Sequence, residues 1–352
     1  MCDITDNSTV VLETASQEFV EATARPPLYY ELSVADARKV LDDVQAEPVD
    51  KPHVEDHWVT VPAPVGDVAI RIVRPPGLSG KLPVILYMHG GGWVLGNADT
   101  HDRLVRELAV GAGAAVVFVE YDRSPEARYP VAIEQGYAAA QWVKREGAAY
   151  RLDADRMAIA GDSVGGNMTA AITLMAAERG DVRFIHQALF YPVTDAAMDT
   201  ASYREFKEGY FLTADAMAWF WDAYLPDTGR RLEPHASPLR AEAELLAGLP
   251  PALVIVDEAD VLRDEGEAYA ARLRKAGVPV TTVRYAGITH DFMMLNPLRQ
   301  TRAARGAIAQ AIDTLSEVLN GGRSAWDTAD PLDLSPLSPV VPNPDPVYQS
   351  AP

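Results

Sequence analysis

Residues 157–167 read MAIAGDSVGGN. Met157 to Ala160 is a short apolar run, and Gly161-Asp162-Ser163-Val164-Gly165 fits the pattern G-x-S-x-G. A run of small residues from Gly166 to about Arg179 then predicts a helix. Strand, sharp glycine turn and helix together carry a serine hydroxyl to the tip of a strained bend. Glycines two residues to either side let strand and helix crowd together without side-chain clashes. The pattern by itself recurs by chance, and a glycine-rich turn with a bystander serine would satisfy it. A second motif gives it weight.

That motif is His89-Gly90-Gly91-Gly92-Trp93, directly after the apolar run Val84–Met88. An acyl-transfer enzyme stabilises the oxyanion of its tetrahedral intermediate with donors fixed in advance. Backbone N–H groups of a glycine loop suit this, because no Cβ blocks the approach. Gly91 and Gly92 are therefore two candidate oxyanion donors, and the N–H of Val164, next to the serine, is the third. His89 is expected to hold the loop rather than act as a base. A glycine run after a strand can instead cradle phosphate, but no Lys-Ser/Thr pair follows and no G-x-G-x-x-G spacing exists.

Length and composition set the outer limits. At 352 residues the chain has room for one large α/β domain with insertions, or for two ordinary domains. Fifty acidic against 31 basic residues give a formal charge of −19. That balance argues against nucleic acid or an anionic membrane surface as partner, and is compatible with neutral or cationic small substrates or with a role in solubility alone. No apolar run is long enough to span a membrane. The first 30 residues carry Asp3, Asp6, Glu13, Glu18 and Glu21 rather than a basic start and apolar core. The single cysteine, Cys2, makes no internal disulfide. Together these predict a cytoplasmic protein.

Along the chain, residues 1–50 read as helical and separate from the main sheet, with Ser33–Asp36 resembling a capping box ahead of Val34, Ala37, Leu41 and Val44 at helical spacing. His57–Val61 and Val68–Val73 predict a hairpin. From Leu82 onward short apolar strands alternate with amphipathic helices, which implies a mostly parallel sheet covered on both faces. Further strands are predicted at Val84–Met88, Ala114–Val119, Met157–Ala160, Ala188–Tyr191, Ala252–Val256 and Val280–Tyr285. Asn296-Pro297 is expected to start the last helix.

Asp195–Pro238 interrupts the alternation. Eight aromatics fall within Tyr203–Tyr224, and Met217, Phe220, Trp221 and Tyr224 share one face of a predicted helix. This segment is either a satellite core or a lid that walls a pocket. With residues 1–50 it is expected to cap a core made of 51–194 and 239–320. Trp93, Phe211 and Trp221 are the candidate substrate contacts. Residues 321–352 hold seven prolines and little periodicity, the composition of an extended tail.

The two glycine motifs together resemble those of the bacterial hormone-sensitive-lipase-like esterases. The likeness runs from about Tyr29 to Leu319 and includes Tyr191-Pro192-Val193-Thr194-Asp195, Leu262-Arg263-Asp264-Glu265-Gly266 and Ile288-Thr289-His290. It implies the α/β-hydrolase fold, with an eight-stranded sheet, helices on both faces and a helical cap. It also implies a carboxylesterase acting on a small-molecule ester, with no metal or organic cofactor, and a homodimer with its contact near the sheet edge at Val280–Leu319. In this fold the triad runs Ser, Asp or Glu, then His along the chain. Of the histidines after Ser163, His290 follows the last strand in a loop ahead of the final helix. His186 and His235 are read as structural. By chemistry Asp257, Glu258, Asp260, Asp264 and Glu265 all qualify as the orienting acid. The resemblance points to Asp260, four residues before Asp264, which is read as a helix cap. Two positions depart from the family pattern: Val261 stands where proline is usual and Asp291 where glycine is common. Asp291 is expected to raise the pKa of His290 or to meet a polar substrate.

The leading expectation is hydrolysis of short- to medium-chain acyl esters. Amide, lactone or carbamate hydrolysis by the same triad is the alternative. A non-catalytic ligand receptor on this scaffold, like the plant gibberellin receptors that lack the histidine, is the third reading.

Overall fold

In the computed structural model, which describes residues 10–321, eight strands form one sheet. They are β1 (Glu55–Val61), β2 (Val68–Arg74), β3 (Leu82–Met88), β4 (Ala115–Glu120), β5 (Leu152–Asp162), β6 (His186–Phe190), β7 (Ala252–Ala259) and β8 (Val280–Thr289). Side by side their order is β1-β2-β4-β3-β5-β6-β7-β8. The expected hairpin is present, with Val61 opposite Val68, and β2 also runs antiparallel to β4. Every pairing beyond that is parallel. All of β3 and β6 is buried, as strands covered on both faces must be; β3 is an unbroken apolar run, whereas β6 opens on the buried polar pair His186 and Gln187. The edge strand β8 has only half-buried and exposed residues over its first seven positions.

Among the described residues ten helices accompany the sheet: α1 (Thr14–Thr23), α2 (Val34–Gln45), α3 (Asp102–Ala112), α4 (Val131–Glu146), α5 (Val164–Arg179), α6 (Ala201–Glu205), α7 (Ala214–Tyr224), α8 (Ala243–Leu246), α9 (Arg263–Lys275) and α10 (Arg302–Asn320). Helices α3 and α10 pack on each other and on the strands; α4 and α5 form a second such pair, extended by α8 and α9. No helix among the described residues is long and apolar enough to cross a membrane.

The N-terminal segment and the insertion meet. Tyr29 stacks on Phe220 of α7 with ring centroids 5.8 Å apart, and Phe19 of α1 lies 4.9 Å from Phe211. Ser33 caps α2, its hydroxyl accepting from the Asp36 N–H at 3.2 Å. Met217, Phe220, Trp221 and Tyr224 of α7 are all buried, as their helical spacing predicted.

Several boundaries differ from expectation. Helix α5 starts at Val164, two residues before its predicted start, because Gly165 carries no propensity signal yet sits inside it. Strand β5 begins at Leu152, five residues early, and pairs with Leu82 before a register shift at Pro83/Val84. Asn296-Pro297 opens only a short 3₁₀ turn; α10 begins at Arg302, capped by Thr301, whose hydroxyl accepts from the Ala304 N–H at 3.1 Å. Cys2 and residues 322–352, most of the expected tail, lie outside the described residues.

Candidate active site

Ser163 stands between the end of β5 and the first turn of α5, with φ 56° and ψ −121°. That conformation costs a non-glycine residue about 1–3 kcal/mol. It is held by three backbone bonds: the Ser163 N–H donates to Phe190 at 2.8 Å, and its carbonyl accepts from Asn167 at 3.1 Å and Val193 at 3.2 Å. The flanking glycines are obligatory for close approach. A Cβ on Gly161 would overlap the Gly165 carbonyl, and one on Gly165 would overlap that of Met88.

The hydroxyl oxygen of Ser163 lies 2.9 Å from Nε2 of His290, and Nδ1 of His290 lies 2.8 Å from Oδ2 of Asp260. The other Asp260 oxygen accepts from the Leu262 N–H at 3.0 Å, which fixes the carboxylate. All three residues are at least 96% buried, with exposures of 4%, 1% and 1%. They come from the ends of β5, β7 and β8, so parallel strands deliver them to one edge of the sheet.

Other acids near the histidine occupy different places. Asp257 is fully buried and neither oxygen has a hydrogen-bond partner among the described residues; burial, helped by the neighbouring Asp260 carboxylate, pushes it well above the usual carboxylate range. Asp264 does not cap its own helix. It lies inside the first turn of α9, accepts from the Ser202 N–H at 2.8 Å and pairs with Arg263 at 2.9 Å. Asp291 follows the histidine with φ 63°, the left-handed conformation in which glycine is usual. Its Oδ1 is 3.4 Å from Nε2 of His290 without hydrogen-bonding to it. Burial alone would lower the pKa of His290, but Asp260, Asp291 and Asp257 outweigh it and hold the imidazole up at about 10. His186 is a buried, neutral core residue pushed down to about 4 by desolvation, and His235 pairs with Glu178 at 2.9 Å. Asp257, Asp260 and His290 present ligand atoms within 4.8 Å of one another, but both imidazole nitrogens already face Asp260 and Ser163.

Gly91 and Gly92 have φ of 102° and 63°. Their N–H groups, and that of Val164 at the open first turn of α5, have no hydrogen-bond partner among the described residues. The loop is braced from behind. Asp162 accepts from the Tyr87 hydroxyl at 2.7 Å and the Gly90 N–H at 3.2 Å, and lies 3.2 Å from Nε2 of His101. A Cβ on Gly90 would overlap that carboxylate. Burial opposes both charges, yet the contact wins: His101 is held above its usual value and Asp162 below. His89 stacks on Tyr121 at 4.2 Å, sits 2.8 Å from its own loop at the Gly90 carbonyl, and is pushed down to about 3 by burial, so it is neutral.

Ser163, His290, Gly91 and Gly92 open into one cleft. Its walls are mostly apolar: Val40, Leu41 and Val44 from α2, Met217 and Phe220 from α7, Phe211 and Leu212 just before α7, with Tyr29 and Leu95. Of the expected contacts Phe211 borders this cleft. Trp93 and Trp221 do not; both are 0% exposed. Trp93 instead stacks flat on Tyr224 at 4.1 Å and meets Trp221 at 4.8 Å, joining the glycine loop to α7. The spacing of Leu41, Val44, Met217 and Phe220 marked them as apolar faces; nothing in the sequence marked Tyr29 or Leu95.

A family model for the α/β-hydrolase fold matches residues 85–294. The carboxylic ester hydrolase LipN of Mycobacterium tuberculosis is 40% identical over 74% of this chain and 70% of its own length. An ethyl acetate hydrolase of Pseudomonas putida is 38% identical over 65% and 72%. The solved structure of a thermostable esterase from Pseudomonas putida superposes with a TM-score of 0.86 at 48% identity, covering 88% of this chain and 98% of that one. The chain belongs to the α/β-hydrolase family, among its hormone-sensitive-lipase-like esterases.

Proposed function

We propose that this ester hydrolase cleaves short- to medium-chain acyl esters through an acyl-enzyme on Ser163. Asp260 holds His290 in the tautomer that leaves Nε2 free to take the Ser163 proton as the hydroxyl attacks the carbonyl carbon. The N–H groups of Gly91, Gly92 and Val164 receive the oxyanion. His290 returns the proton to the alcohol oxygen, the C–O bond breaks, and water repeats the cycle on the acyl-enzyme. The unbroken contact from Ser163 through His290 to Asp260, together with three N–H groups that have no partner among the described residues, carries this reading.

Residues 1–50 and 195–238 act in it as a cap, supported by the Tyr29–Phe220 and Phe19–Phe211 contacts and by the walls that α2 and α7 supply. The small apolar cleft supports short to medium acyl groups. Cysteine usage, with Cys2 alone in the chain, supports a cytoplasmic location. The half-exposed edge of β8 supports pairing with a second copy.

The direct test is hydrolysis of p-nitrophenyl acetate and butyrate by the purified protein and by Ser163→Ala. Loss of one oxyanion donor typically costs about 10²–10³ in kcat, and loss of the nucleophile more. The variant should therefore be inactive, and a rate equal to that of the parent protein would end the assignment.

A further inference from the structure

The cleft holds one carboxyl group, and the mechanism above does not use it. Asp291 lines the cleft with Ser163 and His290, is 8% exposed, and has Oδ1 buried without a hydrogen-bond partner among the described residues. Its place in the chain is fixed by its backbone. The carbonyl accepts from the Met294 and Leu295 N–H groups, each at 3.0 Å, while φ stays at 63°. Glycine would meet that conformation with no strain, so the side chain is carried there at a conformational cost.

Its position relative to the reaction is specific. Oδ1 lies 3.4 Å from Nε2 of His290. On the reading proposed above, which this inference rests on, Nε2 delivers its proton to the departing alcohol oxygen. Atoms attached to that oxygen must then pass beside Asp291, whereas the apolar walls of α2 and α7 offer them no charge. We propose that Asp291 sorts esters by the charge of their alcohol portion, favouring a cation or hydrogen-bond donor a few bonds from the ester oxygen and disfavouring a carboxylate there. A buried acceptor left unsatisfied gains most from such a donor, and a second carboxylate beside it meets repulsion in a site of low dielectric. Burial pushes Asp291 up to about 6, so it carries its charge at neutral and alkaline pH.

Four acetates that share one acyl group isolate the effect: propyl acetate, 2-hydroxyethyl acetate, acetylcholine and acetoxyacetate. Acetate release is followed by pH-stat at about pH 8, where a carboxyl with this value is ionised. Propyl acetate serves as the reference. In the parent protein kcat/KM should rank acetylcholine and 2-hydroxyethyl acetate above it and acetoxyacetate below it, each by roughly tenfold. Asp291→Asn and Asp291→Gly both tolerate a positive φ, and each should compress the cation-to-anion ratio by at least about tenfold. A flat series in the parent, or variants that change all four esters equally, total loss included, overturns the proposal. A parent protein inactive on propyl acetate and on p-nitrophenyl acetate would instead count against the esterase mechanism itself.

Discussion

At the scale of single residues, three carboxyl groups crowd one imidazole. Asp260 holds Nδ1 at 2.8 Å, Asp291 lies 3.4 Å from Nε2, and Asp257 belongs to the same cluster. The folded-state pKa of about 10 stands above the ordinary 6.5. Protonated His290 thus contributes stability that is fully present below about 6.5 and is lost as pH rises through about 10. Catalysis needs the neutral ring, so kcat/KM should climb with pH toward the alkaline side. Asp291→Asn removes one of the groups that hold the proton on, and its acid limb should move to lower pH. A pH–rate profile for p-nitrophenyl acetate, parent against variant, checks the direction; a limb that stays put or moves up contradicts the argument. The serine and histidine were readable because turn chemistry and chain order constrain them. Among the neighbouring acids chemistry alone did not discriminate. Which of Asp257 and Asp260 faces Nδ1 depends on where β7 ends, and the sequence placed that end three residues short, at Val256 instead of Ala259.

At the scale of elements, α7 does two jobs that its pattern did not separate. Its buried face was plain from the spacing of Met217, Phe220, Trp221 and Tyr224, but that face is divided. Trp221 and Tyr224 turn toward Trp93 and lock the helix to the glycine loop, whereas Met217 and Phe220 turn toward the cleft. Periodicity reports burial and is blind to what lies on the other side of it. The same limit explains α2, whose C-terminal Gln45 takes N–H from Asn296 at 2.7 Å and donates to Met294 at 2.9 Å, tying the N-terminal segment to the loop after His290. Phe220 packs so tightly that a Cβ on Gly92 would overlap its ring. Phe220→Ala should therefore cost about 3–5 kcal/mol of stability, as large-to-small changes in a packed site do. It should also widen the cleft at the oxyanion loop. Urea unfolding measures the first effect, and a p-nitrophenyl ester series from acetate to decanoate should show the preferred chain lengthening. An unchanged chain-length optimum would mean that Phe220 does not bound the acyl site.

At the scale of the whole molecule, the sheet has two unlike ends. The interior strands are sealed between helix layers, and their apolar runs made the doubly covered architecture legible from the sequence. The order of the strands was not legible, because pairing is set by crossovers that no local pattern records. At one end β8 has β7 on one side and, among the described residues, no strand on the other. Val280, Val283 and Tyr285 are only half buried, while the charges near them are partly neutralised by the Arg284–Glu267 pair at 2.8 Å. Such an edge invites pairing with another strand. Two whole chains, each with a formal charge of −19, nonetheless repel one another. Attraction is local and apolar, repulsion is long-ranged, and salt discriminates between them: the Debye length falls from about 30 Å at 0.01 M to about 8 Å at 0.15 M. Sedimentation velocity should therefore find a dimer of this chain that is weak at low ionic strength and tightens as sodium chloride is raised into the physiological range. Val283→Lys, placed on the half-buried edge and away from the catalytic residues, should shift the equilibrium back toward monomer. If the parent protein sediments as a monomer at every salt concentration, the β8 edge is not a contact and its half-exposed apolar residues are ordinary surface.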